Sequence, residues 1–308
     1  MSLDLLKASW YEASARQRLQ GLLDPGSFTE FLGPETRELS PHLPLFDLPR
    51  QFDDGMVAGA GRIEGQSVLV AAQEGRFMGG AFGEVHGAKL TGLLRAARER
   101  GAAGRVLILF DTGGVRLQEA NAGELAIAEI MRALLEARAA GARVVGLIGG
   151  RNGCYGGGGL IAGCCSRLVV SEQGRISVSG PEVIETNKGV EEFDSRDRPL
   201  IWRTMGGRHR RLLGGADAYC ADTMGAFREA ALRALREAGG FDLAAMQAEQ
   251  KRLEARLQRF GNSTDAREIW RALGADVGAE APDSVPDLDD KAFADLATRI
   301  AESADDAR

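Results

Sequence analysis

The chain has 308 residues, of which 44% are apolar and 27% charged, and its formal net charge is −6. Those figures suit a soluble globular protein and argue against a general nucleic-acid binder, which needs a basic balance. No apolar run approaches bilayer length, and Met1-Ser-Leu-Asp-Leu-Leu-Lys7 lacks the form of a secretory signal, so a cytoplasmic location is expected.

In chain order, Ser9 to Leu23 reads as a helix with Trp10, Ala13, Leu19 and Leu22 as its apolar positions, ended by the turn Asp24-Pro-Gly-Ser-Phe28. Gly33 to Pro49 carries four prolines and reads as an extended arm. Gly55–Ile63 and Gln66–Ala71 are strand-like runs joined by Glu64-Gly65, which predicts a hairpin. A glycine-rich loop, 75–83, leads to a helix over Val85–Glu99 with Leu90, Leu93, Leu94 and Ala97 facing inward.

The next stretch, Val106-Leu-Ile-Leu-Phe-Asp-Thr-Gly-Gly-Val-Arg-Leu-Gln-Glu119, drives an apolar strand into a glycine-paired turn, and a helix from Ala120 to Ala140 follows. A strand over Val144–Ile148 runs into the glycine-rich segment 149–159, then a short helix over Leu160–Cys164. Leu168–Ser171 and Arg175–Ser179 read as two further strands, Ala226–Ala238 and Asp242–Phe260 as amphipathic helices, and Ala301–Arg308 as a fraying polar tail. Repeated strand, glycine turn and helix, with near-continuous apolar strands, place the fold in the α/β class.

Three glycine clusters follow strands: Gly79-Gly80, Gly113-Gly114 and Gly156 to Gly159. Backbone N–H groups there can meet a ligand with no side chain in the way, although any one pair serves equally well for close helix packing. None fits a P-loop or a dinucleotide fingerprint, and no Gly-x-Ser-x-Gly elbow occurs. The cysteines Cys154, Cys164, Cys165 and Cys220 form no Cys-x-x-Cys pair and read as small buried thiols; His42, His86 and His209 show no metal spacing. Asp111-Thr112 reads as a turn cap and Arg116 with Glu119 as a local ion pair. The run Arg208-His209-Arg210-Arg211 reads as a solvated face, with a contact for an acidic carrier protein or a phosphate as the alternative.

Taken together, Leu23-Asp-Pro-Gly-Ser-Phe-Thr-Glu30, Asp54-Gly-Met-Val-Ala-Gly-Ala-Gly61, Phe77-Met-Gly-Gly-Ala-Phe-Gly-Glu84, Asp111-Thr-Gly-Gly-Val-Arg-Leu-Gln-Glu119, Tyr155-Gly-Gly-Gly-Gly159 and Ser179-Gly-Pro-Glu-Val-Ile184 form an ordered series. The series resembles the carboxyltransferase family of the crotonase-fold superfamily. Segments 181–198 and 202–209 are most similar to the branch formed by beta subunits of biotin-independent malonate decarboxylases. Beta chains of acetyl-CoA carboxylase carboxyltransferase are the main rival. Their bacterial forms usually open with a four-cysteine zinc ribbon, and no cysteine precedes Asp54 here.

The resemblance implies a crotonase-type core of ββα units over residues 54–190, an N-terminal helix and arm over 1–53, and a mainly helical, partner-facing extension over 191–308, all as a single domain. It implies a heteromeric complex with a homologous gamma subunit, an acyl carrier protein subunit and an acyl carrier protein transferase subunit. The substrate would be malonyl thioester on the carrier, held by a CoA-like group (phosphoribosyl-dephospho-CoA), with no cofactor or metal bound by this chain. The product would be acetyl thioester and carbon dioxide. Gly113 and Gly114 are expected to supply oxyanion-hole N–H groups, with Tyr155, Gly156 and Gly157 as the adjoining wall and Gly79 and Gly80 as further contacts. The thioester is its own electron sink, so no cation should pair tightly with the departing carboxylate, and Arg116 is not assigned to it. Water, Tyr155, Glu119 or a gamma-subunit group would protonate the enolate. A biotin-dependent carboxyltransferase subunit and a noncatalytic scaffold are the competing readings.

Overall fold

Glu64 and Gly65, at φ of 49° and 74°, give the tight turn that joins strand β2 (Met56–Ile63) to β3 (Gln66–Gln73). The computed structural model describes residues 3–42, 44, 52, 55–275 and 282–305. Strands β1 (Thr29–Phe31), β4 (Arg105–Phe110), β5 (Arg143–Ile148), β6 (Arg167–Val170) and β7 (Ala218–Tyr219) complete a seven-stranded sheet in sequential order. Pairing is antiparallel from β1 to β3 and parallel from β3 to β7, with Leu69 opposite Val106 and Ile108 opposite Gly146.

The parallel strands are apolar throughout because both faces are covered. Val106, Ile108 and Phe110 pack beneath helices α3 (Glu84–Glu99) and α4 (Ala122–Ala139), against Leu90, Leu94, Ile130 and Leu134. Leu107 and Leu109 face the opposite layer, where Leu19 and Leu22 of α2 (Ala15–Leu22) meet Phe227 of α9 (Met224–Glu237). Trp10 stacks on Phe227 with ring centroids 4.1 Å apart.

A second, shorter ladder crosses the loops between strands and helices. Its rungs are the parallel bridges Phe82–Val115, Thr112–Cys154 and Cys154–Ile176. Each repeat thus runs from long strand to bridge segment to helix, which is the expected ββα unit. Helix α5 (Gly157–Cys164) follows the third bridge segment and α6 (Pro181–Lys188) the fourth.

Several boundaries depart from expectation. The helix expected over Ser9–Leu23 is shortened to α2; residues 8–14 form a turn that separates it from an unforeseen short helix, α1 (Leu3–Lys7). Asp222 holds the Ser9 hydroxyl at 2.6 Å and the Tyr11 N–H at 2.9 Å, and Ser14 starts α2 with a capping box to Gln17. The strand expected over Arg175–Ser179 is reduced to bridges at Arg175 and Ile176. The short helix starts at Gly157 rather than Leu160. The arm contains a 3-10 turn, Pro34–Thr36, and much of its remainder, 43 and 45–49, lies outside the described residues.

Beyond the core, α7 (Arg198–Met205), α8 (Gly207–Leu212), α10 (Leu243–Phe260), α11 (Ala266–Ala272) and α12 (Asp290–Asp305) form the C-terminal part. Leu212, Trp270, Phe293, Leu296 and Ile300 give it a core of its own. Residues 301–305 continue α12 instead of fraying, while 306–308 lie outside the described residues. Helix α10 buries none of its residues and leaves Leu243, Met246, Leu253 and Leu257 exposed. No helix among the described residues is long and apolar enough to cross a membrane.

Candidate active site

The parallel strands release their loops at one edge of the sheet, the usual position for a ligand site in an α/β fold. Strand β3 delivers residues 74–82, β4 delivers 111–116 and β5 delivers 149–156. Backbone contacts draw these turns close. A Cβ on Gly80, whose φ is +67°, would lie 1.7 Å from the Asp111 carbonyl oxygen. A Cβ on Gly158 would lie 2.4 Å from Thr112 Cγ2. Only glycine permits such approaches.

Beneath the turns runs an enclosed polar network. Gln73 Oε1 accepts the Asp111 N–H at 3.1 Å, while Gln73 Nε2 donates to the Gly80 carbonyl at 3.1 Å. Asp111 Oδ1 accepts the Asn152 N–H at 2.7 Å, and Asn152 Nδ2 donates to the Gly75 carbonyl at 2.7 Å. Arg116 donates from Nε to the Ala81 carbonyl at 2.9 Å and from Nη1 to Glu119 Oε1 at 3.0 Å; its Nη2 lies 3.1 Å from His86 Nδ1. Glu119 Oε2 accepts the Glu84 N–H at 2.6 Å. The Arg116 and Glu119 side chains are both 0% exposed, so the local pair read from sequence is a buried brace.

Gly79, Gly80, Gly113, Gly114, Tyr155, Gly156 and Gly157 are brought together. The N–H groups of the two central glycines have acceptors within the chain. The Gly113 N–H donates to the Gly79 carbonyl at 2.9 Å, and the Gly114 N–H donates to Thr112 Oγ1 at 3.1 Å. Neither is left over for a ligand.

The ladder supplies other donors. Residues 112 and 154 pair, with Thr112 N–H to Gly153 O at 2.9 Å and Tyr155 N–H to Thr112 O at 3.0 Å. One step further the strands part, because Gly114 at φ +133° and Gly156 at φ +58° turn away from the regular register. Phe82 N–H donates to Gly114 O and Arg116 N–H to Phe82 O, so Val115 between them points its N–H away from Phe82. Helix α5 begins at Gly157, whose N–H is among those a helix cannot satisfy internally. Among the described residues, neither the Val115 nor the Gly157 N–H has an acceptor.

Tyr155 lends its backbone to the wall, but its ring lies in an apolar cluster with Phe193, Ile201 and Met205. Its hydroxyl is enclosed without a partner, and burial raises its pKa above the ordinary tyrosine value. Glu119 is held by Arg116 and the Glu84 N–H. Burial likewise pushes the Cys154 thiol well above its usual range, so it is not an activated nucleophile. Sequence reasoning missed Val115 and the supporting Arg18, Gln73, His86 and Asn152. The only signal was the position of Val115 and Asn152 in the loops that follow β4 and β5. Leu117, Leu125, Leu160, Val178 and Val183 stand exposed around the turns. Apolar surface of that kind marks a contact for another molecule.

The carboxyl transferase domain profile matches residues 12–205. The chain is 37% identical to the malonyl-S-ACP:biotin-protein carboxyltransferase MADC of Malonomonas rubra, over 96% of this chain and 98% of that one. It is 32% identical to an acetyl-coenzyme A carboxylase carboxyl transferase subunit beta of Synechococcus, over 58% of this chain and 59% of that one. Among solved structures it resembles a chain of a Pseudomonas malonate decarboxylase hetero-tetramer in complex with malonate. That match has a TM-score of 0.77 and 42% identity, covering 87% of this chain and 98% of that chain. A chain of the Pseudomonas MdcD-MdcE hetero-dimer matches with a TM-score of 0.65 and 37% identity, covering 85% of this chain and 100% of that one.

Proposed function

The chain belongs to the carboxyl transferase domain family, and on that premise we propose that it is the beta subunit of a malonate decarboxylase. It acts with a homologous gamma subunit on malonyl thioester carried by an acyl carrier protein, and an acyl carrier protein transferase loads that carrier. The malonyl group hangs on the carrier's CoA-like arm (phosphoribosyl-dephospho-CoA). The reading rests on near full-length similarity to malonate decarboxylase chains and on one structural observation: the unfilled N–H groups of Val115 and Gly157 where the second ladder opens.

Decarboxylation breaks the C–C bond between the carboxylate and the methylene carbon. Its electron pair moves into the thioester, which becomes an enolate, and carbon dioxide departs. Charge therefore leaves the carboxylate and arrives on the thioester oxygen. Two fixed N–H donors at that oxygen favour the transition state over the ground state, and losing one such donor costs about 3 kcal/mol. The backbone supplies them without reorganising, because Gly80, Gly113 and Thr112 hold the turn from behind. Arg116 is committed inward to Glu119, Ala81 and His86, so its cation does not bind the departing carboxylate. The proton that converts the enolate to acetyl thioester comes from water or from the gamma subunit.

A second reading is favoured by the similarity to the Malonomonas rubra protein. There the same bond is broken, but the carboxyl group passes to a biotin protein. Complexes of this chain with its gamma and carrier subunits, offered malonyl carrier protein with avidin present, separate the two. Continued release of carbon dioxide is expected. Release that stops with avidin and returns with a biotin protein replaces the first reading by the second. No release under either condition leaves only a scaffold.

A further inference from the structure

The run at 208–211 is not the solvated face that its charge suggests, since Arg208 is buried and donates to the Val285 and Pro286 carbonyls at 2.9 Å, with Glu172 at 3.3 Å. The open face of the C-terminal part lies on α10. This helix has 18 residues and buries none of them. Two arginines of its second half tie it to the chain: Arg252 donates to the Gly214 carbonyl at 2.8 Å and Arg259 to the Ala272 carbonyl at 2.5 Å. Among the described residues, no hydrogen bond or ion pair joins 243–251 to another helix or strand. A lone helix of this length is marginal in water, and helices in proteins gain their stability by packing an apolar face.

The apolar face of α10 points outward. Leu243, Met246, Gln250, Leu253, Leu257 and Phe260 recur at alternating steps of three and four, the a and d positions of a heptad. Phe260 is half-buried, but Leu243 and Leu257 are 68% and 72% exposed, and Met246 and Leu253 are exposed between them. The seam lies beside the arginines that hold α10 to the body, not beneath them. It is therefore open to a second helix.

Charges along its margins select that helix. Glu249 and Arg256 border the seam on one side and Glu254 on the other. Against a parallel second copy, Glu249 would face Glu254, and like charges repel. Against an antiparallel second copy, Glu249 comes level with Arg256 of the other chain, and Glu254 with its Lys251. Both contacts occur twice about a two-fold axis. Arg256 and Lys251 have no carboxylate partner of their own among the described residues. The same alignment layers Leu243 on Phe260 and Met246 on Leu257. It sets the two Gln250 amides beside the axis, where one polar pair fixes the register.

We propose that α10 pairs antiparallel with α10 of a second copy of this chain, about a two-fold axis between residues 251 and 252. One helix pair is a small interface, so the dimer should form at about micromolar concentration. The pairing does not depend on the decarboxylase reading.

Sedimentation equilibrium tests it over about 1–100 μM, with the full chain alone and with its complex with the gamma subunit. The mass of each should double with concentration. Leu253→Lys puts a charge at the centre of the seam and should halve the mass at the upper end, while the fold survives because Leu253 is exposed in the single chain. Charge variants give the direction. Glu249→Lys should weaken the dimer at least tenfold, and Glu249→Lys with Arg256→Glu should restore it, whereas a parallel pair would be tightened by Glu249→Lys alone. A tightened dimer overturns the antiparallel arrangement. Equal masses for parent and Leu253→Lys overturn the pairing itself and leave the seam to a helix of a partner subunit. Mass is read without turnover, so neither failure bears on the decarboxylase reading.

Discussion

Arg18 Nη1 lies 2.8 Å from Asp111 Oδ2, with the two side chains 1% and 5% exposed. The pair fastens α2 to the loop after β4, and the other oxygen of Asp111 fastens the loop after β5 through the Asn152 N–H. Arg18 also donates from Nε to the Trp10 carbonyl at 2.9 Å. One ion pair therefore ties two turns of the candidate site to a helix outside the core repeats.

Arg18→Met should destabilise the chain by about 3–5 kcal/mol, because it strands a buried carboxylate. Urea unfolding measures it. Carbon dioxide release by the folded complex should fall as well, with partial recovery in Arg18→Lys. A loss under about 1 kcal/mol would show that water reaches Asp111 and that the tie is dispensable.

Glycines of one site should differ sharply. A Cβ on Gly113 would meet only the Gly79 carbonyl at 3.7 Å, an ordinary contact, and its φ is not positive. Gly113→Ala should cost no more than about 1 kcal/mol. Gly80→Ala places a methyl on the Asp111 carbonyl at positive φ and should cost about 3 kcal/mol or more, if it folds at all. Comparable melting temperatures for the two variants would contradict the packing described.

Amide-to-ester replacement at Val115 or at Gly157 deletes one N–H and leaves every side chain in place. Each should lower kcat for carbon dioxide release by about 100-fold or more, the loss of a single oxyanion donor. Esters at Gly113 or Gly114 should act through stability, since their hydrogens serve Gly79 and Thr112. Full turnover with both the Val115 and the Gly157 esters would remove these donors from the mechanism.

His209 sets a pH dependence. Burial, followed by the charges of Arg210 and Arg256, lowers its pKa from 6.5 to about 3. The unfolded chain takes up the proton near pH 6.5 and the folded chain does not, so the stabilisation is complete above pH 6.5. It is lost as the pH falls toward 3, by about 1.4 kcal/mol per unit through that window. His209→Gln should flatten the melting temperature against pH between 6.5 and 4. An unchanged slope would assign the dependence to other groups.

Much of this fold is legible in local pattern. Val106–Phe110 reads as a buried strand because every side chain on it is apolar, and Leu90, Leu93, Leu94 and Ala97 keep helical spacing on one face. The second ladder is not legible, since single residues such as Phe82, Cys154 and Ile176 carry its bridges and no period forms over so short a length. The break before α2 depends on Asp222, about two hundred residues away. Arg208 reads as solvated only until Val285, Pro286 and Glu172 fold onto it. The paired glycines rightly mark the place where loops meet. Which N–H stays free is decided by Gly79 and Thr112, whose acceptors no sequence rule connects to Gly113 or Gly114.

A cradle made of main chain has a practical corollary at Val115. An alanine scan would pass over its donor almost silently, because Val115→Ala deletes methyl groups and keeps the N–H. The Val115 side chain packs against the core and over Gly123, so a library there is confined to apolar side chains of its size or smaller, and on the proposed function it would alter the wall of the site without touching the N–H. Loop length is the quantity under constraint: one residue inserted between Thr112 and Arg116 would move the donor by a full rung and disarm it.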